Sequence, residues 1–135
     1  MRQSKEYAEM SKENYRGFRD LIVYQKSYKA ALEIFELTKT FPKEEQYSLT
    51  DQIRRSSRSV PTNLAEGWRK RKYSKLFISK LIDCSGEASE TEVWLDFSKD
   101  LNYLTEEKYL YFVEKYEEIN KMLNSMIKQP EKFCY

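Results

Sequence analysis

Apolar residues recur at intervals of three and four positions along four separate stretches of the chain. This spacing is the period of an α-helix, and each stretch would bury one side of such a helix. The third stretch, for example, carries Phe77, Leu81, Cys84 and Ala88 on one face. The predicted helices span residues 20–40, 49–68 and 74–104, and a fourth begins after Thr105 and ends before Pro130. Four amphipathic helices with short links predict an all-α fold, an up-and-down four-helix bundle.

The scarce residue types support this fold class and exclude several kinds of chemistry. The 135 residues include three Gly and three Pro, too few turn formers for a many-stranded β fold. The chain has no His, which excludes Ser-His-Asp and Cys-His nucleophile pairs, His-ligated metals and the di-iron sites of ferritin-like bundles. Because the length is that of one domain, we expect a single bundle. Because the chain has no His, we expect no metal and no cofactor.

Residues that begin and end helices define the expected domain limits. Asp20 is the expected N-cap of the first helix, Ser48 opens a Ser-x-x-Asp capping pattern, and Thr105 is the expected cap of the fourth helix. We therefore expect a flexible N-terminal arm over residues 1–18, the bundle over 19–128 and a fraying C-terminal tail over 129–135.

Pro61 interrupts the second apolar stretch and leaves two interpretations open. Proline removes one helical hydrogen bond and bends the axis, so the stretch is either one kinked helix or two helices that meet near Ser59. The apolar stripe keeps its phase across Pro61, which favours the kinked helix.

The two cysteines, Cys84 and Cys134, are too few for a disulfide framework or a four-cysteine zinc site. Cys84 lies in an apolar stripe and is expected to be a small buried hydrophobe, whereas Cys134 is expected to be mobile. The first residues are polar, unlike a signal peptide, and no apolar run approaches the ~18 residues of a transmembrane helix. These features predict a protein of the reducing cytoplasm with no membrane partner.

The net charge of +2 hides an uneven distribution of charge along the chain. Residues 51–80 hold nine basic and two acidic side chains, whereas residues 83–118 hold eleven acidic and three basic ones. Such asymmetry concerns partners rather than fold. A basic surface on one subunit meeting an acidic surface on the next would form a head-to-tail contact, which closes into a ring at a suitable rotation.

The basic segment contains the candidate nucleic-acid-binding residues. Several cations close together bind phosphates because each neutralised phosphate releases counterions, and the flanking Trp68 and Tyr73 have aromatic faces on which unpaired bases stack. A solvated surface and a subunit contact are the alternatives for the same residues. The candidates are Arg54, Arg58, Arg69, Lys70, Arg71, Lys72 and Lys75.

A row of polar residues lies beside the apolar stripe of the second predicted helix. Its members are Gln52, Arg55, Ser59, Asn63 and Glu66. We expect a structural role, in which Arg55 reaches Glu90 or Glu92 of the third helix and buried charges are satisfied in pairs. A functional pocket and simple exposure are the alternatives.

Several strings of residues together carry a resemblance to a known family. The Ile-Arg-Arg and Pro-x-Asn-x-Ala-Glu-Gly elements are the most specific part. The strings are Asp20–Lys26 (DLIVYQK), Leu37-Thr38, Phe41-Pro42, Tyr47–Arg55 (YSLTDQIRR), Ser59–Gly67 (SVPTNLAEG), and Gly86 with Glu90 and Glu92. Over residues 18–127 the chain resembles the bacterial four-helix-bundle proteins encoded in intervening sequences of 23S ribosomal RNA genes. It also looks distantly like the accessory variability protein of diversity-generating retroelements.

The resemblance implies a four-helix bundle that assembles into homopentameric rings and a role in nucleic-acid binding. With the basic cluster, it predicts a non-enzymatic, oligomeric nucleic-acid-binding protein whose ligand is RNA. The alternative is a homo-oligomeric adaptor that binds proteins and makes no direct contact with nucleic acid. No nucleophile–base constellation is visible in the sequence, so we expect no enzymatic activity.

Overall fold

The structure, a computed structural model, describes residues 14–135. Within that range it contains four α-helices and no β-strand, which confirms the all-α prediction. Short 3₁₀ turns cover Phe18–Asp20, Lys43–Glu45 and Pro130–Lys132. The helices are α1 (Ile22–Thr38), α2 (Leu49–Trp68), α3 (Ser74–Asp100) and α4 (Glu106–Lys128).

Each helix packs against its neighbours in the order α1, α2, α3 and α4, and α4 closes the bundle against α1. The apolar stripes meet in one core, where every fully buried Leu, Ile or Phe contributes about 1.5–3 kcal/mol to stability. The largest fully buried side chains include Ile34, Ile53, Leu64, Phe77, Leu81, Leu95, Tyr116, Ile119 and Leu123. This up-and-down order places the α2–α3 turn, the start of α1 and the end of α4 at the same end of the bundle.

The second predicted helix is one continuous helix through the buried Pro61. Pro61 has no N–H, so the carbonyl of Ser57 receives no hydrogen bond from the residue four positions later. The hydroxyl groups of Ser56 and Ser57 donate to carbonyls one turn earlier, those of Ile53 and Arg54. One continuous helix is confirmed, and the kink at Pro61 stays a prediction.

The predicted helix caps are only partly correct. Thr105 caps α4, since its hydroxyl accepts the N–H of Lys108 at 3.1 Å. The prediction for Asp20 is wrong, because α1 begins after Leu21 and the Asp20 carboxylate accepts the N–H of Arg16 at 2.6 Å. Ser48 precedes α2 without a side-chain capping bond.

The third helix ends four residues earlier than the apolar pattern predicts. Asn102 has a φ of +64°, a left-handed conformation that ends helices and that Asn adopts more readily than most residues. The N–H of Asn102 donates to Lys99 and that of Tyr103 donates to Ser98, at 2.9 and 2.8 Å. These two bonds form a Schellman motif, so α3 stops at Asp100.

The C-terminal segment packs against the bundle, and the expectation that it frays is wrong. Phe133 and Cys134 are both buried. The ring of Phe133 lies 6.0 Å from that of Phe77 and 5.6 Å from that of Tyr15, while Tyr15 packs edge-on against Trp68 at 5.4 Å. Residues 1–13 of the predicted N-terminal arm lie outside the described residues. None of the described helices is both long and apolar enough to cross a bilayer.

Candidate nucleic-acid interface

Four exposed cations project from the turn between α2 and α3. Gly67 lets the two helices approach closely just before this turn, since a Cβ built at Gly67 would lie 3.0 Å from the Cβ of Lys80. Helix α2 ends one residue later, and the chain reverses within five residues. The exposed cations are Arg69, Lys70, Lys72 and Lys75, which we call the basic turn.

Arg71 belongs to the same turn in sequence, but its guanidinium is engaged by the protein. It lies 3.7 Å from the ring centroid of Trp68 and 4.9 Å from that of Tyr135. It also donates hydrogen bonds to the carbonyls of Trp68 and Phe133 and to the hydroxyl of Tyr135. Arg71 therefore anchors the C-terminal segment on α2.

The two aromatic residues that flank the turn differ in access. Trp68 is buried beneath Arg71 and Tyr15, so its faces are covered. Tyr73 is 58% exposed, with the Lys72 ammonium 5.8 Å from its ring centroid. Of these two aromatic residues, only Tyr73 presents a face on which a base can stack.

Arg54 and Arg58 are separated from the basic turn. Arg69 follows Arg58 by eleven positions, about 16 Å along the helix axis. Both guanidinium groups sit over the ring of Phe35 in α1, at 4.5 and 5.6 Å, and the Nε of Arg54 donates to Thr38. Arg58 lines a groove between α1 and α2, and both arginines lie against α1 rather than at the end of the bundle.

The fold adds four cations to the basic turn that sequence reasoning missed. Arg16 and Arg19 precede α1, while Lys128 and Lys132 lie at the end of α4 and in the C-terminal segment, and all four are exposed. Asp20 and Glu131 partly offset them. The predicted up-and-down order of the helices could have revealed them, because it places the start of α1 and the end of α4 at the same end as the α2–α3 turn. The basic turn and these four cations together form what we call the basic end.

The polar row on α2 faces α3 and forms ion pairs there. The guanidinium of Arg55 bonds to Glu90 and, at 3.2 Å, to Glu87. Partial burial lowers the pKa of Arg55, but the bonds to the two carboxylates outweigh it and the net pKa is raised. The Arg55 side chain is 46% exposed, so the expectation of buried charge pairs is wrong for this network.

The remaining members of the row make short-range contacts. The Lys80 ammonium lies 2.6 Å from Glu66, and this hydrogen bond lowers the pKa of Glu66 and raises that of Lys80. Ser59 and Asn63 donate to carbonyls of their own helix, four residues earlier. Gln52 accepts a hydrogen bond from Arg55. The Lys80–Glu66 pair joins α3 to α2, whereas the other three contacts lie within α2.

Glu92 lies apart from this row, on the side of α3 that faces α4. Its carboxylate accepts a hydrogen bond from the amide of Asn120 at 3.4 Å. Burial, and then the nearby Glu117 and Asp96, raise the pKa of Glu92. Of the two acids that the sequence offers as partners of Arg55, the structure pairs Glu90 with it and places Glu92 against Asn120.

The cysteines and carboxylates of the described residues form no group of three that could hold a metal ion. Cys84 is fully buried, as expected, and burial raises the pKa of its thiol to about 12. Cys134 is also buried, so the expectation that it is mobile is wrong.

Comparison with known proteins identifies the family. The family model described as 23S rRNA-intervening sequence protein matches residues 19–125. The chain belongs to this family. The match covers α1, α2, α3 and all but the last three residues of α4, and the resemblance drawn from the sequence strings is confirmed.

A solved structure with a similar sequence supports the fold. It is the crystal structure of a protein with unknown function from the S23 ribosomal protein family of Bacteroides thetaiotaomicron VPI-5482. It is 34% identical to this chain, has a TM-score of 0.71, and the match covers 79% of this chain and 96% of that one. No curated protein matches the chain. The likeness to the accessory variability protein stays a prediction.

Proposed function

We propose that this member of the 23S rRNA-intervening sequence family is a non-enzymatic nucleic-acid-binding protein whose ligand is RNA. The observation that carries the proposal is the basic end. Segments that are far apart in sequence bring Arg16, Arg19, Lys128 and Lys132 to the same end of the bundle as the basic turn. We also propose, from its cysteine usage, that the protein acts in the reducing cytoplasm.

Exposed, unpaired cations suit phosphate binding better than the ion-paired ones elsewhere on the protein. Arg55 and Lys80 are held by carboxylates, whereas Arg69, Lys70, Lys72 and Lys75 are exposed. Each phosphate that such a side chain neutralises releases counterions and adds affinity. The exposed ring of Tyr73 lies among these cations and would stack an unpaired base. Single-stranded loops and bulges of RNA present phosphates and unpaired bases close together. This combination favours RNA as the ligand.

A charge-removal variant tests the site. In this variant Arg69, Lys70, Lys72 and Lys75 all become Ser, and Arg71 stays because it anchors the C-terminal segment. The matched control replaces four exposed lysines outside the basic end, Lys29, Lys43, Lys108 and Lys121, by Ser. Filter-binding titrations against structured and single-stranded RNA at several salt concentrations supply the dissociation constants.

We expect the basic-turn variant to bind RNA about tenfold or more weakly, and its slope of log K against log salt to become shallower by about 3 for single strands. The control should keep most of the affinity. Equal losses in the two variants would show that the basic turn is not the site. No binding by the unchanged protein at low salt would overturn nucleic-acid binding itself.

The adaptor alternative remains a second candidate because α3 presents exposed apolar side chains, Ile82, Val93 and Phe97 among them. Isolated surface apolar residues are ordinary, but a contiguous set indicates a protein contact. A pull-down that retains a protein partner after nuclease treatment, with no RNA binding at low salt, would favour the adaptor. The predicted homopentamer is compatible with both candidate functions and stays a prediction.

A further inference from the structure

The C-terminal segment contacts Arg71 with the kinds of group that a nucleotide would offer. The carbonyl of Phe133 accepts a hydrogen bond from one terminal nitrogen of the guanidinium at 3.4 Å, and the hydroxyl of Tyr135 accepts one from the other at 3.2 Å. The centroid of the Tyr135 ring lies 4.9 Å from the guanidinium carbon. An acceptor oxygen and an aromatic ring thus meet one guanidinium, as a phosphate and a stacked base of RNA would.

The two hydrogen bonds from Arg71 to the segment are ones that a phosphate would replace. Both acceptors are neutral, and both distances lie at or beyond the long end of the usual range. A phosphate adds the attraction of opposite charges and accepts two parallel bonds from the planar guanidinium. An RNA phosphate therefore competes with the C-terminal segment for the same two nitrogens.

Arg71 keeps two other contacts that do not involve the C-terminal segment. Its Nε donates to the carbonyl of Trp68 at 2.9 Å, and its guanidinium carbon lies 3.7 Å from the centroid of the Trp68 ring. Trp68 is buried and is the last residue of α2. Release of the segment would therefore leave Arg71 in place, between Lys70 and Lys72 in the chain, with both terminal nitrogens open to a ligand.

The C-terminal segment is incompletely packed against the bundle. Phe133 and Cys134 are buried, whereas Glu131, Lys132 and Tyr135 are exposed. A cavity of about 280 Å³ lies between the segment, the start of α1 and the end of α4. Side chains that line a cavity lose dispersion contacts, and segments with few buried apolar contacts open at a low cost in free energy.

We propose that the C-terminal segment is autoinhibitory and that RNA displaces it from Arg71. This inference rests on the proposed RNA binding and concerns the regulation of that site. With the segment docked, RNA contacts the four exposed cations of the basic turn. With the segment released, a phosphate takes both terminal nitrogens of Arg71 and a base takes the place of the Tyr135 ring. The measured affinity is then limited by the fraction of molecules in which the segment is released.

Release of the segment can be followed at Cys134 without measuring RNA binding. The Cys134 side chain is buried while the segment is docked, and its thiol should react faster with a maleimide once the segment leaves. Mass spectrometry of the labelled peptides also follows Cys84, which is fully buried in the core and is the internal control. We expect a saturating single-stranded uridine oligonucleotide to speed the labelling of Cys134 in the unchanged protein and to leave that of Cys84 unchanged.

Two substitutions weaken the hold of the segment to different extents. Tyr135→Ala removes the competing ring and hydroxyl and leaves the core intact, because Tyr135 is 76% exposed. Phe133→Ala removes a buried ring and should release the whole segment. The matched controls lie at the opposite end of the bundle, Tyr47→Ala at an exposed position and Phe41→Ala at a buried one. Circular dichroism checks that each variant keeps its helices.

We expect Tyr135→Ala and Phe133→Ala to bind the oligonucleotide about fivefold or more tightly in filter-binding titrations, the least that one hydrogen bond to a charged group contributes. Phe133→Ala should also label Cys134 faster with no RNA present. Adding Arg71→Gln to Phe133→Ala should remove most of the gain in affinity, because the gain requires the guanidinium. Both controls should match the unchanged protein in affinity and in labelling rate.

The outcomes separate this inference from RNA binding itself. If neither the unchanged protein nor Phe133→Ala binds the oligonucleotide at low salt, the proposed function is overturned and the autoinhibition with it. If the unchanged protein binds but RNA does not speed the labelling of Cys134, or if a folded Tyr135→Ala variant binds no more tightly, only the autoinhibition is overturned. A gain that survives Arg71→Gln, or equal gains in the controls, would also overturn it.

Discussion

The guanidinium carbon of Arg71 lies 3.7 Å from the ring centroid of Trp68. The same guanidinium holds the carbonyl of Phe133 and the hydroxyl of Tyr135. A residue that sequence reasoning assigns to nucleic-acid binding thus joins the α2–α3 turn to the C-terminal segment. Within the turn, Arg71 is therefore structural while the C-terminal segment is docked, and the exposed cations are the ones that are accessible to a ligand.

Replacing Arg71 by Lys should loosen the C-terminal segment. Lysine keeps the charge but loses the planar group that stacks on Trp68 and donates several hydrogen bonds at once. We expect the free energy of unfolding to fall by about 1–3 kcal/mol, measured by urea denaturation. The exposed Lys72→Ala is the control and should change it by less than about 0.5 kcal/mol. Equal effects would show that Arg71 contributes nothing through these contacts.

Replacing Gly86 or Gly67 by alanine should have different effects on the free energy of unfolding of the monomer. Alanine gains about 1 kcal/mol of helix propensity at either position. At Gly86 the new Cβ meets open space among the described residues, whereas at Gly67 it lies 3.0 Å from the Cβ of Lys80. We expect Gly86→Ala to stabilise by about 0.5–1 kcal/mol and Gly67→Ala to be neutral or destabilising. Urea unfolding of both variants at low protein concentration measures this difference, and a larger gain at Gly67 would contradict the close approach of α2 and α3.

Removing the hydroxyl of Tyr116 should stabilise the protein. Tyr116 is fully buried, and its hydroxyl has no hydrogen-bond partner among the described residues. An unsatisfied buried polar group is costly, so Tyr116→Phe should raise the free energy of unfolding by about 1 kcal/mol. Tyr109→Phe is the contrast, because the hydroxyl of Tyr109 donates to Asp96 at 2.6 Å. That variant should lose about 0.5–1.5 kcal/mol, and a loss in Tyr116→Phe would refute the prediction.

Glu92 should make the protein less stable as the pH rises. Its folded-state pKa is raised above the ordinary value of 4.5 by burial, then by Glu117 and Asp96. Between these two values the folded protein binds more protons than the unfolded chain, so stability falls as pH rises through the folded-state pKa. Glu92→Gln should therefore stabilise at pH 7, by less than about 1 kcal/mol because solvent screens a partly exposed group.

The gain from Glu92→Gln should vanish at pH 4, where Glu92 is protonated in the folded state. Urea unfolding at the two pH values measures the difference, with the exposed Glu114→Gln as the matched control. A gain of the same size at both pH values would mean that the effect does not come from the charge of Glu92.

Local sequence patterns predicted the helices well where the chain itself supplies the signal. Ser74 begins α3 and Thr105 caps α4 as expected, because apolar spacing and capping depend on neighbouring residues. The end of α3 was missed because the left-handed Asn102 forms a Schellman motif that the apolar stripe does not reveal. The C-terminal segment was misjudged because its burial depends on Phe77 and Tyr15, which are distant in sequence.

The candidate site was predictable only in part. The exposed cations at Lys70 and Lys72 follow from a short polar turn after a helix. Arg54 and Arg58 lie over Phe35 rather than at the basic turn. Their position depends on how α2 is rotated against α1, which the sequence does not show. The sequence left Glu90 and Glu92 as alternative partners of Arg55, and the tertiary structure decided for Glu90 because the two acids lie on different sides of α3.

Helical periodicity was sufficient to predict a four-helix bundle, and the residue strings were sufficient to show the resemblance to this family, since both are properties of the chain alone. Only the tertiary structure decided which charges act together. Antiparallel packing brings Arg19 and Lys132 to the same end of the bundle as Lys72, and Arg71 contacts a segment more than sixty positions away. Electrostatic and packing interactions act over distances in space, and separation along the chain does not report those distances.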